Sequence, residues 1–350
     1  MKKFTFNKQF MVLMFLLLNC FASYAADKYL FFKQITINLT EAGTLPNKIE
    51  ISRKFSNLKI TGEINGTDLR FLRKMAGGDG YGGCLSILDL SEARIVEGGD
   101  YYYNNDYNND YFYTSNDIIG EYTFCNCTSL TSVKIPSGVT EIRNSAFKDC
   151  GSLTSVDIPS SVTEINLRVF KGCTSLTIVD IPSSVTRIGE SAFEGCSSLT
   201  SVNIPSSMKW IPVCAFYNCS SLTSVKIPSS VNFIGYGAFL GCEGLKSIYI
   251  YAEKAPYSSS SMCQIFSDCV LKNGTLYVPN GTYDAYNRSL FGDFENIVEF
   301  DATSIHNMVA TPEAQETARY AVNGQRLTAP IKGTNLVKYS DGTVKKEFVK

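Results

Sequence analysis

Histidine is almost missing from this chain, with His306 alone among 350 residues. A single imidazole excludes a metal centre built on histidines and leaves no Ser-His-Asp set to assemble. Tryptophan is as scarce: Trp210 stands alone beside 20 Tyr and 22 Phe. Charge of one sign is not in excess, since 32 basic and 33 acidic residues give a net charge of −1. That balance excludes the basic footprint of a nucleic-acid-binding surface and of a polybasic membrane anchor. The 12 cysteines include no C-x-x-C pair, and Cys125-Asn126-Cys127 is not a zinc spacing. Neither a phosphate-binding G-x-x-x-x-G-K-[ST] loop nor a nucleophile-elbow motif occurs. No catalytic residue, metal or cofactor is expected on these grounds. Beyond the first residues, no apolar run is long enough to cross a bilayer as a helix.

The apolar run that does exist lies at the N-terminus. Lys2, Lys3 and Lys8 precede Phe10 to Leu18, and Ser23-Tyr24-Ala25 places small residues at −3 and −1. This is the pattern of an export signal cleaved after Ala25, so residues 1–25 are read as a signal peptide. Cys20, after Leu17-Leu18-Asn19, offers a rival lipoprotein reading, which Asn19 before the cysteine disfavours. The mature protein is expected to be exported, and either secreted or held at the outer cell surface.

The cysteines that are present form a ladder. Cys127, Cys150, Cys173, Cys196, Cys219 and Cys242 each follow the last by 23 residues. Phe124, Phe147, Phe170, Phe193, Phe216 and Phe239 keep the same step three positions earlier. Leu130 to Leu245, Val133 to Ile248 and Ile135 to Ile250 repeat it, and a proline follows each Ile from Pro136 to Pro228. Proline has no N–H to donate, so it closes the strand there. A second extended segment follows, with Ile142, Ile165, Ile188, Ile211 and Ile234 turned inward. A period of this length fits one coil of a stacked solenoid, in which each coil buries its apolar columns against its neighbours. The fold class is therefore mainly β with minor α: a right-handed leucine-rich-repeat solenoid of 23-residue coils with N- and C-terminal caps. The cysteines read as small buried residues at a tight turn, and parallel Cβ vectors disfavour bridging between coils.

The period also marks its own interruptions. Residues 26–84 read as an N-terminal cap, with strands at Ile35 to Leu39 and Leu58 to Thr61 and a helix over Asp68 to Met75. The solenoid spans residues 85–250, broken at 98–117 by a Tyr/Asn/Asp-rich insertion. Residues 251–300 read as a degenerate repeat and C-terminal cap, 301–317 as a linker and 318–350 as a β-rich tail with a hairpin turn at Asp341-Gly342.

At Cys150–Gly172, Cys173–Gly195 and Cys196–Asn218 the pattern C-x-S-L-T-S-V-x-I-P-S-S-V-T-x-I-x-x-x-A-F-x-x resembles the BspA-like class of bacterial leucine-rich repeats. Gly62 to Asp68, Leu88 to Ser91 with Ile95-Val96, and Val278 to Ile297 resemble the units that flank such repeats. The resemblance implies an exported or surface-displayed protein, some of whose relatives are adhesins for host matrix proteins or other cells. The last segment resembles the β-rich C-terminal tails of exported proteins from Bacteroides-type bacteria, some of which act as sorting or anchoring signals.

Two places stand out as candidate contact surfaces. The outward column of the second segment reads Glu141, Glu164, Arg187, Trp210, Phe233, so the only Trp neighbours a Phe, with Tyr217 and Tyr236 close in sequence. Displayed aromatics suggest a contact patch, unless the caps or the tail cover them. In the insertion, Tyr101, Tyr102, Tyr103, Tyr107, Tyr111 and Tyr113 supply rigid amphipathic contact area, unless the loop is merely solvated. Asp106, Asn108, Asp110 and Asp117 follow a calcium-loop spacing, but Tyr111 stands where that loop needs glycine. The leading functional expectation is a non-enzymatic binding or adhesion protein whose partner is a host matrix or cell-surface protein. Carbohydrate recognition by the exposed Tyr and Trp is the alternative, and a structural spacer the third reading.

Overall fold

The computed structural model describes residues 34–49, 55–105, 108–258 and 264–302, and four strands between 316 and 349. The signal peptide, Cys20, Tyr107, Asp106, His306 and the Asp341-Gly342 turn lie outside the described residues. The chain divides into two compact units, Met1–Phe300 and Asp301–Lys350.

In the first unit the inward columns stack as the period requires. The strands Ile35–Leu39, Asn57–Ile64, Ile87–Ile95, Ser132–Lys134 and Ser155–Asp157 pair in parallel, in that order. Leu58, Leu88, Val133 and Val156 are successive register partners along one buried line. Residues 26–84, expected to cap the solenoid, thus supply two strands to the same sheet. At the far end Ser224–Ile227, Ser247–Ile250, Thr275–Pro279 and Asn296–Phe300 also pair in parallel. The burial of alternate residues in Ser224–Ile227 and Ser247–Ile250 is the period-two signature of strands buried on one face. Tyr286, Phe291 and Phe294 close the apolar end, and the Tyr286 hydroxyl donates to the Ala252 carbonyl at 2.7 Å.

A second column of two-residue strands runs through Ile118–Ile119, Glu141–Ile142, Glu164–Ile165 and Arg187–Ile188. It resumes with Trp210–Ile211 paired to Phe233–Ile234. A third line of contact lies at the Phe turns. There the N–H of Phe147 donates to Val169 O, that of Phe170 to Ala192 O and that of Phe193 to Ala215 O. The rings of Phe124 through Phe239 stack face to face at centroid distances of 5.3–5.5 Å, and Phe266 continues the stack at 5.6 Å.

The cysteine ladder is free thiol and buried. Each Sγ from Cys150 to Cys242 donates to the carbonyl of the Phe in the preceding coil, at 3.0–3.2 Å. A small side chain with a weak donor therefore fills the corner and gives a second donor to a turn carbonyl that already accepts from the Cys N–H three residues further on.

Each coil also holds two residues in the left-handed region. One column is Asn126, Asp149, Gly172, Gly195, Asn218 and Gly241, the residue types that tolerate this conformation. The other is Tyr122, Ser145, Arg168, Ser191, Cys214 and Gly237, with φ between 53° and 64°. A side chain with a Cβ is disfavoured there by about 1–2 kcal/mol. Replacing Arg168 (φ 56°) by glycine is therefore expected to raise stability by about 1 kcal/mol despite the freer unfolded chain. Urea unfolding would check this, and a lower midpoint would show that the arginine side chain contributes more than its backbone strain removes.

The helix Gly66–Met75 begins where Asn65 and Asp68 form a capping box. The Asp68 carboxylate is fully buried and accepts from the N–H groups of Asn65, Gly43 and Leu45. Leu69, Leu72 and Met75 turn into the core, while Arg70 and Lys74 lie on the partly exposed flank. The insertion 98–117, for which a solvated loop was an open alternative, contains an antiparallel hairpin of Tyr103–Asn105 with Asp110–Phe112.

The second unit is a four-stranded antiparallel sheet. Glu316–Ala321 pairs with Arg326–Leu327 and Gly333–Tyr339, and the latter with Val344–Val349.

Candidate functional site

Two surfaces gather the candidate residues. The first grows out of the second strand column. In Glu164–Ile165 and Trp210–Ile211 the isoleucine is buried, so the residue before it points outward. The outward positions change character along the chain. Glu141 is paired with Arg143 and Glu164 with Arg187, whereas Trp210 and Phe233 follow as aromatics in register with each other. Trp210 is 41% exposed and Phe233 half-buried. The structure adds Tyr257, 62% exposed, which bridges Phe233 in parallel and meets its ring edge-on at 5.3 Å. Sequence reasoning missed Tyr257 because it follows Phe233 by 24 residues and so falls off the 23-residue step. Tyr217 and Tyr236 sit on the following turns instead: Tyr236 is exposed and its carbonyl accepts from Cys214, while Tyr217 is half-buried and accepts from Gly195.

The second surface is a cleft of about 730 Å³. One wall is the Arg70/Lys74 flank of the helix, another the 77–82 loop, and a third the start of the insertion, Tyr101 to Asn105. Asn126 and Thr128 complete it from the first regular coil. The Arg70 guanidinium lies 4.1 Å from the Tyr101 ring centre and donates to the Tyr101 hydroxyl at 2.8 Å. The Lys74 ammonium sits 5.3 Å over the ring of Tyr81, which is 54% exposed. Behind the cleft, the fully buried Arg73 donates to the carbonyls of Tyr122 (2.7 Å), Thr123 (2.9 Å) and Cys125, and pairs with Asp79.

The tyrosines of the insertion separate into different roles. Tyr111 and Tyr113 are exposed, and Tyr101 packs edge-on against Tyr111 at 4.8 Å. Tyr103 is half-buried and stacks on Tyr122 at 5.1 Å. Tyr102 corrects the expectation of a contact residue, because it is only 1% exposed. Its hydroxyl donates to the Glu121 carbonyl, and a Cβ at Gly120 would fall 2.2 Å from that oxygen. Tyr102 is thus the peg that fixes the insertion to the solenoid. The calcium-loop reading finds Asp117 facing Arg94 at 3.6 Å.

Nucleophilic or ligating chemistry finds little support in the buried thiols. Burial pushes the Cys127 and Cys196 thiols up to about 12 and Cys125 up to about 11. Such groups are neutral at physiological pH. Among the described residues no group of three or more His, Cys, Asp or Glu could hold a metal ion, and no helix is long and apolar enough to cross a membrane.

Comparison with known proteins bears on the fold. The family model described as "BspA type Leucine rich repeat region (6 copies)" matches residues 98–220 and 167–291. A leucine-rich-repeat protein of T. pallidum is 29% identical, with 46% of this chain and 66% of that chain covered and a TM-score of 0.37. The chain thus spans just under two thirds of that protein's length. A leucine-rich cell-surface protein from Faecalibacterium prausnitzii is 20% identical, with 79% and 90% covered and a TM-score of 0.32. The pneumococcal vaccine antigen PcpA is 14% identical, with 77% and 68% covered and a TM-score of 0.35. A search of curated proteins finds no match.

Proposed function

This chain belongs to the BspA-type leucine-rich-repeat family, and on that premise we propose that it is an exported, non-enzymatic adhesion protein that binds a host matrix or cell-surface protein. Export rests on the signal-peptide pattern of residues 1–25, and display on the β-rich 318–350 tail. The observation that carries the binding reading is the outward line Trp210, Phe233, Tyr257, exposed at Trp210 and Tyr257 and half-buried at Phe233. Large aromatics side by side on one solvent-facing column are the groups that dominate protein interfaces. The flanking inward columns are occupied by the core, so the outward column can vary without harm to the fold.

The test is binding of the full chain to a panel of immobilised extracellular-matrix proteins by surface plasmon resonance. At least one is expected to bind, and Trp210→Ala to weaken it by about 2 kcal/mol, some thirtyfold. The Trp210 side chain is half out of the surface, so its removal should leave the thermal midpoint within a few degrees. Unchanged binding by Trp210→Ala, Phe233→Ala and Tyr257→Ala would rule out this face. Binding to no protein of the panel would favour the spacer reading.

A further inference from the structure

We propose that the cleft between the Gly66–Met75 helix, the 77–82 loop and the 101–105 segment binds an acidic sugar residue of a glycan, a pyranose that carries a carboxylate or a sulfate. This goes beyond the protein-binding reading and concerns a different face of the same unit. The cleft's volume of about 730 Å³ lies within the range of small-ligand sites. Its walls hold no aliphatic side chain. Beyond tyrosine rings and the stems of Arg70 and Lys74 it offers an aliphatic peptide anchor little to bury against, whereas hydroxyl-rich ligands match tyrosine faces and amide and hydroxyl edges together.

Charge selects the ligand further. Asp79 is the one carboxylate lining the cleft, and the buried Arg73 already neutralises it. Arg70 and Lys74 have no carboxylate partner among the described residues. Two cations therefore remain uncompensated at the rim, one turn apart on a single helix flank. Arg70 is also held in place, by its hydrogen bond to the Tyr101 hydroxyl and its stacking on that ring. A guanidinium already fixed loses little side-chain entropy when an anion arrives, and its fork matches the paired oxygens of a carboxylate or sulfate. The exposed Tyr81 offers a ring whose negative face suits the polarised C–H groups of a pyranose. Asn126 and Thr128, from the first regular coil, line the same cleft and supply amide and hydroxyl groups able to pair with a sugar's hydroxyls.

The experiment screens the full chain on an array of carboxylated, sulfated and neutral glycans, then titrates by calorimetry. Oligogalacturonate supplies carboxylates only and carrageenan oligosaccharides sulfates only, so the two sources separate; a neutral cello-oligosaccharide is the control. Acidic glycans are expected to bind at least about tenfold more tightly than neutral ones of equal length, with affinity falling as salt rises. Arg70→Gln and Lys74→Gln should each weaken binding about tenfold or more, and Tyr81→Ala by a similar factor. Tyr81 is a surface residue whose loss leaves the fold intact, which keeps the test open if a helix variant unfolds. Trp210→Ala should leave glycan binding unchanged, so this site and the aromatic line fail or succeed separately. The proposal is overturned if no acidic glycan binds, if neutral glycans bind equally well, if the three cleft variants bind like the parent, or if an oligoglutamate peptide binds more tightly than any glycan.

Discussion

Arg73→Met is expected to lower the stability of the solenoid unit by about 3–5 kcal/mol. Arg73 belongs to the helix Gly66–Met75, yet its Nη1 serves three carbonyls that lie 49 to 52 residues further along, at Tyr122, Thr123 and Cys125. Its Nη2 holds Asp79, and its plane covers the Tyr103 ring at 4.7 Å. Methionine matches the stem in volume but donates nothing, so buried carbonyls would be left without partners. The helix, the 77–82 loop and the first Phe turn would lose their common tie. Asp79→Asn should cost less, about 1–3 kcal/mol, because the amide oxygen can still accept from Nη2 although the buried guanidinium loses its counter-charge. Chemical denaturation of both variants checks the ranking. A loss under about 1 kcal/mol for Arg73→Met would mean that solvent reaches those carbonyls.

Phe170→Ala is the second large effect, also about 3–5 kcal/mol. The ring is fully buried and sandwiched between Phe147 at 5.5 Å and Phe193 at 5.3 Å. Neither neighbour can collapse into the void, because each is fixed by its own place in the stack and by the turn hydrogen bonds around it. Phe170→Leu restores most of the volume and should cost about 1.5 kcal/mol or less. In a solenoid the damage is confined to two coil interfaces. The unfolding transition should therefore broaden as well as shift, as the two flanks lose their coupling. A sharp transition with an unchanged slope would argue that the whole unit still melts as one.

These two residues also mark how far the sequence could be read. Phe170 was legible, because a 23-residue step through Phe, Cys, Leu, Val and Ile can be satisfied only by stacked coils. The Asn126 to Gly241 left-handed column could be seen in its Asn, Asp and Gly content. Its companion column could not, since Tyr122, Arg168 and Cys214 give no sign of positive φ. Arg73 was illegible for another reason: an arginine inside an amphipathic helix reads as a surface charge until its distant partners are known. The cleft failed in the same way. It joins residues 70–82, 101–105 and 126–128, which no local pattern relates. Within the insertion, composition marked the tyrosines as a group, but only the hairpin decides that Tyr102 turns inward while Tyr113 faces water.

The lines of inter-coil hydrogen bonds carry a mechanical consequence. They point from coil to coil, along the direction of stacking. A tension applied along that direction would load the coil interfaces in series, and the weakest would open first, at a terminal coil or at the interrupted one. A tension applied along the strands would instead shear many bonds at once. A tether that pulled on the stack end to end would thus yield stepwise and dissipate force, while a partner seated across the strands would hold against it.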